Sequence, residues 1–213
     1  MIAFAACIAS QEKFTAHAAR AINRALRPDD VFAELTTSTS IHEAYNEALE
    51  HFSTVEDLEA LVLMHEDVEL LAPERFPSRV RAALADRSVA IAGVVGARGI
   101  PGLAWWDGEI AGAVAETRGN VHGDMRNRDV DAVDGLLMAL SPWAVRNLRC
   151  DTDTFTGFHA YDMDLCFQAR AAGRRVIAAD LPVFHHTKCG YGDRAAWLSA
   201  DAEFRAKWKE LLA

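Results

Sequence analysis

Two features of the chain predict an α/β fold with a mostly parallel central sheet. Apolar runs too continuous for half-exposed strands alternate with amphipathic stretches of helical length. The runs are Ile2–Ala9, Leu58–Met64 and Val89–Val95, and the stretches are Glu12–Leu26, Ile41–Phe52 and Pro77–Leu84. With 213 residues, 51% hydrophobic and 25% charged, the composition is that of one soluble globular domain with a substantial core.

Taken in order, Ile2–Ala9 is a strand buried on both faces, and Glu12–Leu26 is the helix that returns over it. Val31–Leu35 is a second strand after the Pro28-Asp29-Asp30 loop. Thr36–Ser40 is a polar turn in which Ser40 caps the helix Ile41–Phe52. Leu58–Met64 then ends abruptly in His65-Glu66-Asp67. The C-terminal ends of strands are where open α/β sheets bind ligands, so this acidic end is the first chemical candidate: carboxylate oxygens there can hold a hard divalent cation. A solvated loop is the plainer reading.

After the Val89–Val95 strand the alternation dissolves between Gly96 and Asp129, a long excursion of the kind kept for binding loops or hairpins. Within it, Trp105-Trp106-Asp107-Gly108 reads as a hairpin with an Asp-Gly turn, its indoles either packing the hairpin or offering flat faces to a sugar. Val130–Leu140 is strand-like around Asp134-Gly135, and Pro142 opens a short helix. Gly157 permits a bend before a helix carrying Asp162 and Asp164 in its first turn, which stops at Gly173. Val176–Ala178 is a short strand, Pro182 a punctuation, and Val183-Phe184-His185-His186 a last extended segment. Asp193–Leu212 closes the chain as an amphipathic helix with Trp197, Phe204, Trp208 and Leu211 along it.

Asp162 and Asp164, two apart on a helix, diverge, so they do not form a carboxylate dyad. Asp162, nearest the loop, is the candidate general base, and Asp164 the charge that supports the helix start. Adjacent residues on an extended chain face opposite ways, so His185 and His186 cannot both enter one site. Other motifs are excluded. Gly93, Gly96 and Gly99 lack the dinucleotide spacing, Ser141 lacks the glycines of a nucleophile elbow, and the histidines lack the zinc-protease pattern.

The net charge of −9 gives no support for broad nucleic-acid or anionic-membrane binding. Cys7, Cys150, Cys166 and Cys189 are widely spaced and form no C-x-x-C pair, so reduced thiols are expected. No run reaches the roughly 20 apolar residues of a membrane span, and the short apolar start reads as a core strand instead of a leader. A cytoplasmic protein is expected, with peripheral contact at the inner face of the membrane left open.

These segments together resemble glycosyltransferase family 2, in particular a bacterial glycosyltransferase-like branch. The carriers are the first strand with Ser10-Gln11-Glu12-Lys13, Ser40–Asn46, the strand ending in His65–Leu70, Val133-Asp134-Gly135 through Ser141-Pro142, and Phe158–Leu165 with the late histidines. The resemblance covers nearly the whole chain and implies a GT-A type fold, a Rossmann-like α/β/α sandwich. Residues 1–95 would form a nucleotide-binding half and residues 96–213 an acceptor and catalytic half.

Carried over by position, Ala9, Ser10, Glu12, Asn46, His65 and Glu66 would line the nucleotide, and Asp67 would bind a divalent cation, Mn²⁺ or Mg²⁺. His65 stands where the family has an acid. His185 or His186 would complete the metal site, with preference for His186. Asp134, Gly135, Trp105, Trp106 and Tyr161 would face the sugar and acceptor, and Tyr161 replaces the family's usual Glu before the base Asp162.

The resemblance further implies inverting transfer from a nucleoside-diphosphate sugar to a saccharide or lipid-linked acceptor, as in polysaccharide biosynthesis. A non-catalytic nucleotide-sugar binding module and a metal-dependent nucleotide-sugar hydrolase are the rival readings.

Overall fold

The structure is a computed structural model that describes residues 1–36, 40–123, 128–187 and 192–212. The middle of the expected Thr36–Ser40 turn and Cys189 lie outside the described residues. In chain order the elements are β1 (Ile2–Cys7), α1 (Gln11–His17), α2 (Ala19–Ala25), β2 (Val31–Leu35), α3 (Ile41–Ser53), β3 (Ala60–His65) and β4 (Val68–Leu70). There follow α4 (Phe76–Ala83), β5 (Val89–Gly93), β6 (Val95–Arg98), β7 (Glu109–Glu116), β8 (Val121–His122), β9 (Arg128–Asp129), β10 (Ala132–Val133) and β11 (Leu137–Leu140). The chain ends with α5 (Pro142–Asn147), α6 (Tyr161–Ala171), β12 (Arg175–Ala178), β13 (Val183–His185) and α7 (Arg194–Lys207).

The larger sheet has the order β2-β1-β3-β11-β5-β12-β9. β1 is parallel to β2 and β3, β12 is parallel to β5, and β11 and β9 run the other way. The sheet is therefore mostly parallel, and its central strands are buried on both faces: Leu61, Val62, Leu63 and Met64 have no exposure at all. Such side chains stabilise the fold by roughly 2 kcal/mol each. This is why β3 reads as an uninterrupted apolar run.

A second sheet of order β10-β6-β7-β13-β4, with β8 beside β7, stands at the C-terminal end of β3. Here the structure corrects the expected elements. The apolar run Val89–Val95 is two strands, because the chain leaves the larger sheet after Gly93 and enters the second at Val95. Val130–Leu140 likewise divides into β10 and β11, one in each sheet. The helix expected over Glu12–Leu26 is divided at Ala18. Trp105–Asp107 is a 3-10 turn in place of the expected hairpin.

β3 and β4 are joined by the two-residue turn Glu66-Asp67, and β13 pairs antiparallel with β4, setting His185 opposite Val68. This pairing brings the late histidines beside Asp67. Helix α6 is fixed from behind by the C-terminal segment. Asp164, fully buried, accepts from Trp208 Nε1 at 2.8 Å and Gln168 Nε2 at 2.6 Å and pairs with Lys207 Nζ at 2.7 Å. The expectation that Asp164 is a helix-start charge is thereby corrected: its carboxylate is an anchor between α6 and the end of α7. A carboxylate so deeply placed is tolerable only because it is paired and hydrogen-bonded.

Candidate active site

A cavity of about 960 Å³ opens where the two sheets meet. Its lining includes His65, Asp67, Glu116, Asp134, Tyr161, Asp162 and His185, with Trp105, Trp106, Trp197 and Phe158 as aromatic walls. Its size suits a ligand of several rings.

The base candidate comes from α6. Its N-cap, Ala160, takes the left-handed backbone with φ of 76°, the sole non-glycine with positive φ among the described residues. Strain of this kind gathers at functional sites. Asp162 then accepts N–H bonds from Gly135 at 2.8 Å and Met163 at 2.9 Å. Burial, reinforced by the charge of Asp134, nevertheless pushes its pKa up to about 7, the two N–H donors only moderating the rise. Helix position alone predicts a readily ionised acid, and desolvation outweighs it.

Gly135 is required by close approach. A Cβ there would lie 2.2 Å from Tyr161 Oη and 2.8 Å from Asp162 Cβ. The Tyr161 hydroxyl donates to Gly135 O at 3.1 Å and meets His65 Nε2 at 2.6 Å. One tautomer satisfies both contacts: with the hydroxyl proton on the Gly135 carbonyl, Nε2 of His65 carries the ring hydrogen and Nδ1 keeps the lone pair. Burial, then the neighbouring His185, lowers the His65 pKa and keeps the ring neutral.

His65, Asp67 and His185 form a cluster whose donor atoms all lie within 4.8 Å of one another. His185 Nε2 is 3.4 Å from Asp67 Oδ1, and its Nδ1 is 2.9 Å from Glu116 Oε1. Burial works against a charged His185, but the hydrogen bonds of Asp67 and Glu116 win and raise its pKa. Burial likewise works against an ionised Asp67, yet the hydrogen bond and charge of His185 hold it down at about 2. Two imidazoles and a carboxylate, each imidazole hydrogen-bonded through its other nitrogen, fit a divalent cation.

The preference for His186 is corrected. The alternation of β13 turns it away from the cluster, where Nε2 meets Glu69 at 2.9 Å and the ring stacks on His17 at 3.9 Å. Asn46 is also used otherwise than expected: its amide donates to Cys150 O at 2.8 Å and accepts from Cys150 N at 2.7 Å, clamping α3 to the segment after α5. Glu66 turns back to take N–H bonds from Ala9 at 2.8 Å and Ser10 at 2.7 Å, so these three residues are engaged with one another. Ser10 caps α1, and Glu12 lies exposed in its first turn.

Trp105 is nearly buried and meets Trp106 edge-on at 6.0 Å, while Trp106 stacks on Trp197 of α7 at 6.2 Å. Sequence reasoning missed Glu116, which sits in an excursion with no periodic signal, and Phe158, whose ring is 55% exposed and 5.6 Å from that of His65. It also missed how Ile41–Asn46 serves the site. His42 and Tyr45 meet the ring of Tyr161 in T-shaped contacts, with centroids 6.0 Å and 5.3 Å apart.

Comparison with known proteins agrees with this architecture. The chain is 30% identical over 190 residues to the streptomycin biosynthesis protein StrF of Streptomyces griseus, an alignment covering 87% of the chain and 66% of that protein. Among solved structures it is similar to S. aureus TarS, with a TM-score of 0.56, 7% identity, and 87% and 60% of the two chains covered. It is also similar to A197 from STIV, with a TM-score of 0.54, 15% identity, and 88% and 85% covered. At such identities the structural likeness speaks for the fold alone, which is of the GT-A type. The model of the glycosyltransferase-like family matches residues 3–210, and with the sheet order and cavity described above the chain belongs to that family.

Proposed function

We propose that the chain transfers a sugar from a nucleoside-diphosphate donor to an acceptor hydroxyl, with inversion, using Asp162 as general base and a divalent cation at Asp67 and His185. The observation that carries the reading is the raised pKa of Asp162, about 7, in the same cavity as the His65, Asp67 and His185 cluster. A base poised near neutrality is matched to deprotonating a hydroxyl as it attacks.

In this reading Asp162 takes the acceptor proton at its carboxylate, while the N–H groups of Gly135 and Met163 hold that carboxylate in place. Asp134 lies beside the sugar and acceptor, and Trp106 and Phe158, backed by the nearly buried Trp105, would pack against sugar rings and shield the reacting centre from water. The nucleotide would lie along Ala9, Ser10, Glu12 and His65. His65, Asp67 and His185 would hold the divalent cation, which when bound would supply charge stabilisation to a departing diphosphate. Mn²⁺ and Mg²⁺ are the ions considered, and the acceptor is a saccharide or a lipid-linked saccharide. Among the described residues no helix is long and apolar enough to cross a membrane.

The test is calorimetry against UDP-, GDP-, CDP- and dTDP-sugars with and without Mn²⁺, followed by turnover assays on Asp162→Asn. Metal-dependent donor binding retained with transfer abolished supports the reading. Full turnover by the variant removes Asp162 from the role, and donor consumption without any acceptor would identify a hydrolase.

A further inference from the structure

We propose that His65 is itself a nitrogen ligand, so that the cation site is built from two imidazoles and one carboxylate and selects a first-row transition ion over Mg²⁺. This rests on the cation reading above and names the ion class that the site takes.

Three observations converge. First, the donor atoms of His65, Asp67 and His185 lie mutually within 4.8 Å, close enough to share one ion. The three residues come from the end of β3, the following turn and β13, so the cluster is a product of the two sheets meeting.

Second, both rings are held as ligands are held. Tyr161 Oη occupies Nε2 of His65 at 2.6 Å, and Glu116 Oε1 occupies Nδ1 of His185 at 2.9 Å. Fixing one imidazole nitrogen with a hydrogen bond sets the tautomer and leaves the lone pair on the other. His65 Nδ1 makes no hydrogen bond with the described residues, although the ring is largely buried. A histidine placed there only for packing would leave that nitrogen without purpose.

Third, the site is short of oxygen. Glu66, the acid between the two, faces away and is bound to the N–H groups of Ala9 and Ser10. Asp134 lines the cavity but lies outside the cluster. Mg²⁺ is a hard ion that takes oxygen ligands, whereas imidazole suits Fe²⁺ and Zn²⁺, with Mn²⁺ the weakest binder of the first-row series and so the most stringent probe of the preference. Tyr161 in turn belongs to this arrangement: a Glu at that position would not donate Gly135's carbonyl a proton and orient an imidazole at once.

The experiment uses the whole protein with Mn²⁺ alone, without donor or acceptor. Pulsed EPR counts directly coordinated ¹⁴N nuclei. Two imidazole nitrogens are expected in the unaltered protein and one in His65→Gln. Competition between Mn²⁺ and Mg²⁺, followed by the free Mn²⁺ EPR signal, should shift towards Mg²⁺ by about tenfold or more in His65→Asp.

A single nitrogen in the unaltered protein, an unchanged ion preference in His65→Asp, or no Mn²⁺ bound at millimolar concentration overturns the proposal. The nitrogen count in the unaltered protein needs no variant to fold. Two nitrogens with no response to any nucleoside diphosphate would leave this ligand set standing while the transfer reading fell, and one nitrogen with donor binding would do the reverse.

Discussion

The N–H of Gly135 donates to Asp162 Oδ2 at 2.8 Å, joining the segment between β10 and β11 to the first turn of α6. The bond exists because residue 135 has no side chain to hold the two backbones apart: an added Cβ would lie 2.8 Å from Asp162 Cβ and closer still to Tyr161 Oη. Gly135→Ala is therefore expected to displace the carboxylate and cut kcat by about 10²-fold, the scale of an ångström-sized misplacement. Circular dichroism should show a folded protein. A variant with unaltered kcat would show that the contact has no part in placing Asp162.

The raised pKa of Asp162 has two consequences with definite signs. For donor-free enzyme, kcat/KM should fall about tenfold per pH unit below roughly 7, as the carboxylate takes up its proton. Stability moves the other way. The folded chain holds this proton more tightly than the unfolded chain, so the group destabilises the fold progressively as pH rises from 3.8 to about 7, and fully above that. Asp162→Asn should raise Tm at pH values above 7 and not at acid pH, as differential scanning fluorimetry across the range would reveal.

Glu116 holds His185 through Nδ1, with Arg118 Nη2 at 3.0 Å on the same carboxylate. Glu116→Ala should weaken Mn²⁺ binding by about 10- to 100-fold while leaving the fold intact. Glu116→Gln, which can still accept from Nδ1–H, should recover part of the loss. Equal affinities in calorimetry would assign Glu116 to packing alone.

Asn46 offers a contrast between a nucleotide-lining role and a clamp. Losing both of its bonds to Cys150 should cost about 1–3 kcal/mol in Asn46→Ala, read by urea denaturation. The Kd for nucleotide should be unaffected. A large loss of nucleotide affinity with unchanged stability would return Asn46 to the pocket.

Ala160 carries a left-handed backbone that glycine adopts without strain. Ala160→Gly should therefore be neutral or stabilising by about 1 kcal/mol, and Ala160→Val destabilising, in thermal unfolding. The opposite order would mean that the Cβ of residue 160 matters more than its φ.

Much of the architecture was legible in one dimension because it depends on burial along each segment. Short continuous apolar runs bounded by polar loops read as strands covered on both faces, as β1, β3 and β5 are. The C-terminal end of β3 was legible as a candidate site for the same reason, since an apolar strand that stops at His65-Glu66-Asp67 delivers those side chains to one edge of the sheet. The division of Val89–Val95 was not, because burial continues unbroken where the chain passes from one sheet to the other.

Which side chains meet was decided in three dimensions. Antiparallel pairing of β13 with β4 selects His185 over His186, although the two are chemically identical and adjacent. Glu116 reaches His185 only because β7 lies parallel to β13, with residue 116 in register with residue 185. Asp162 and Asp164 carry the same carboxylate on one helix turn. Tertiary packing gives Asp164 a lysine and an indole, and gives Asp162 two backbone N–H donors, no cation, burial and a nearby like charge. Solvation and pairing depend on neighbours distant in sequence, so the chain alone names the acids and histidines while the folded structure assigns their charges and partners.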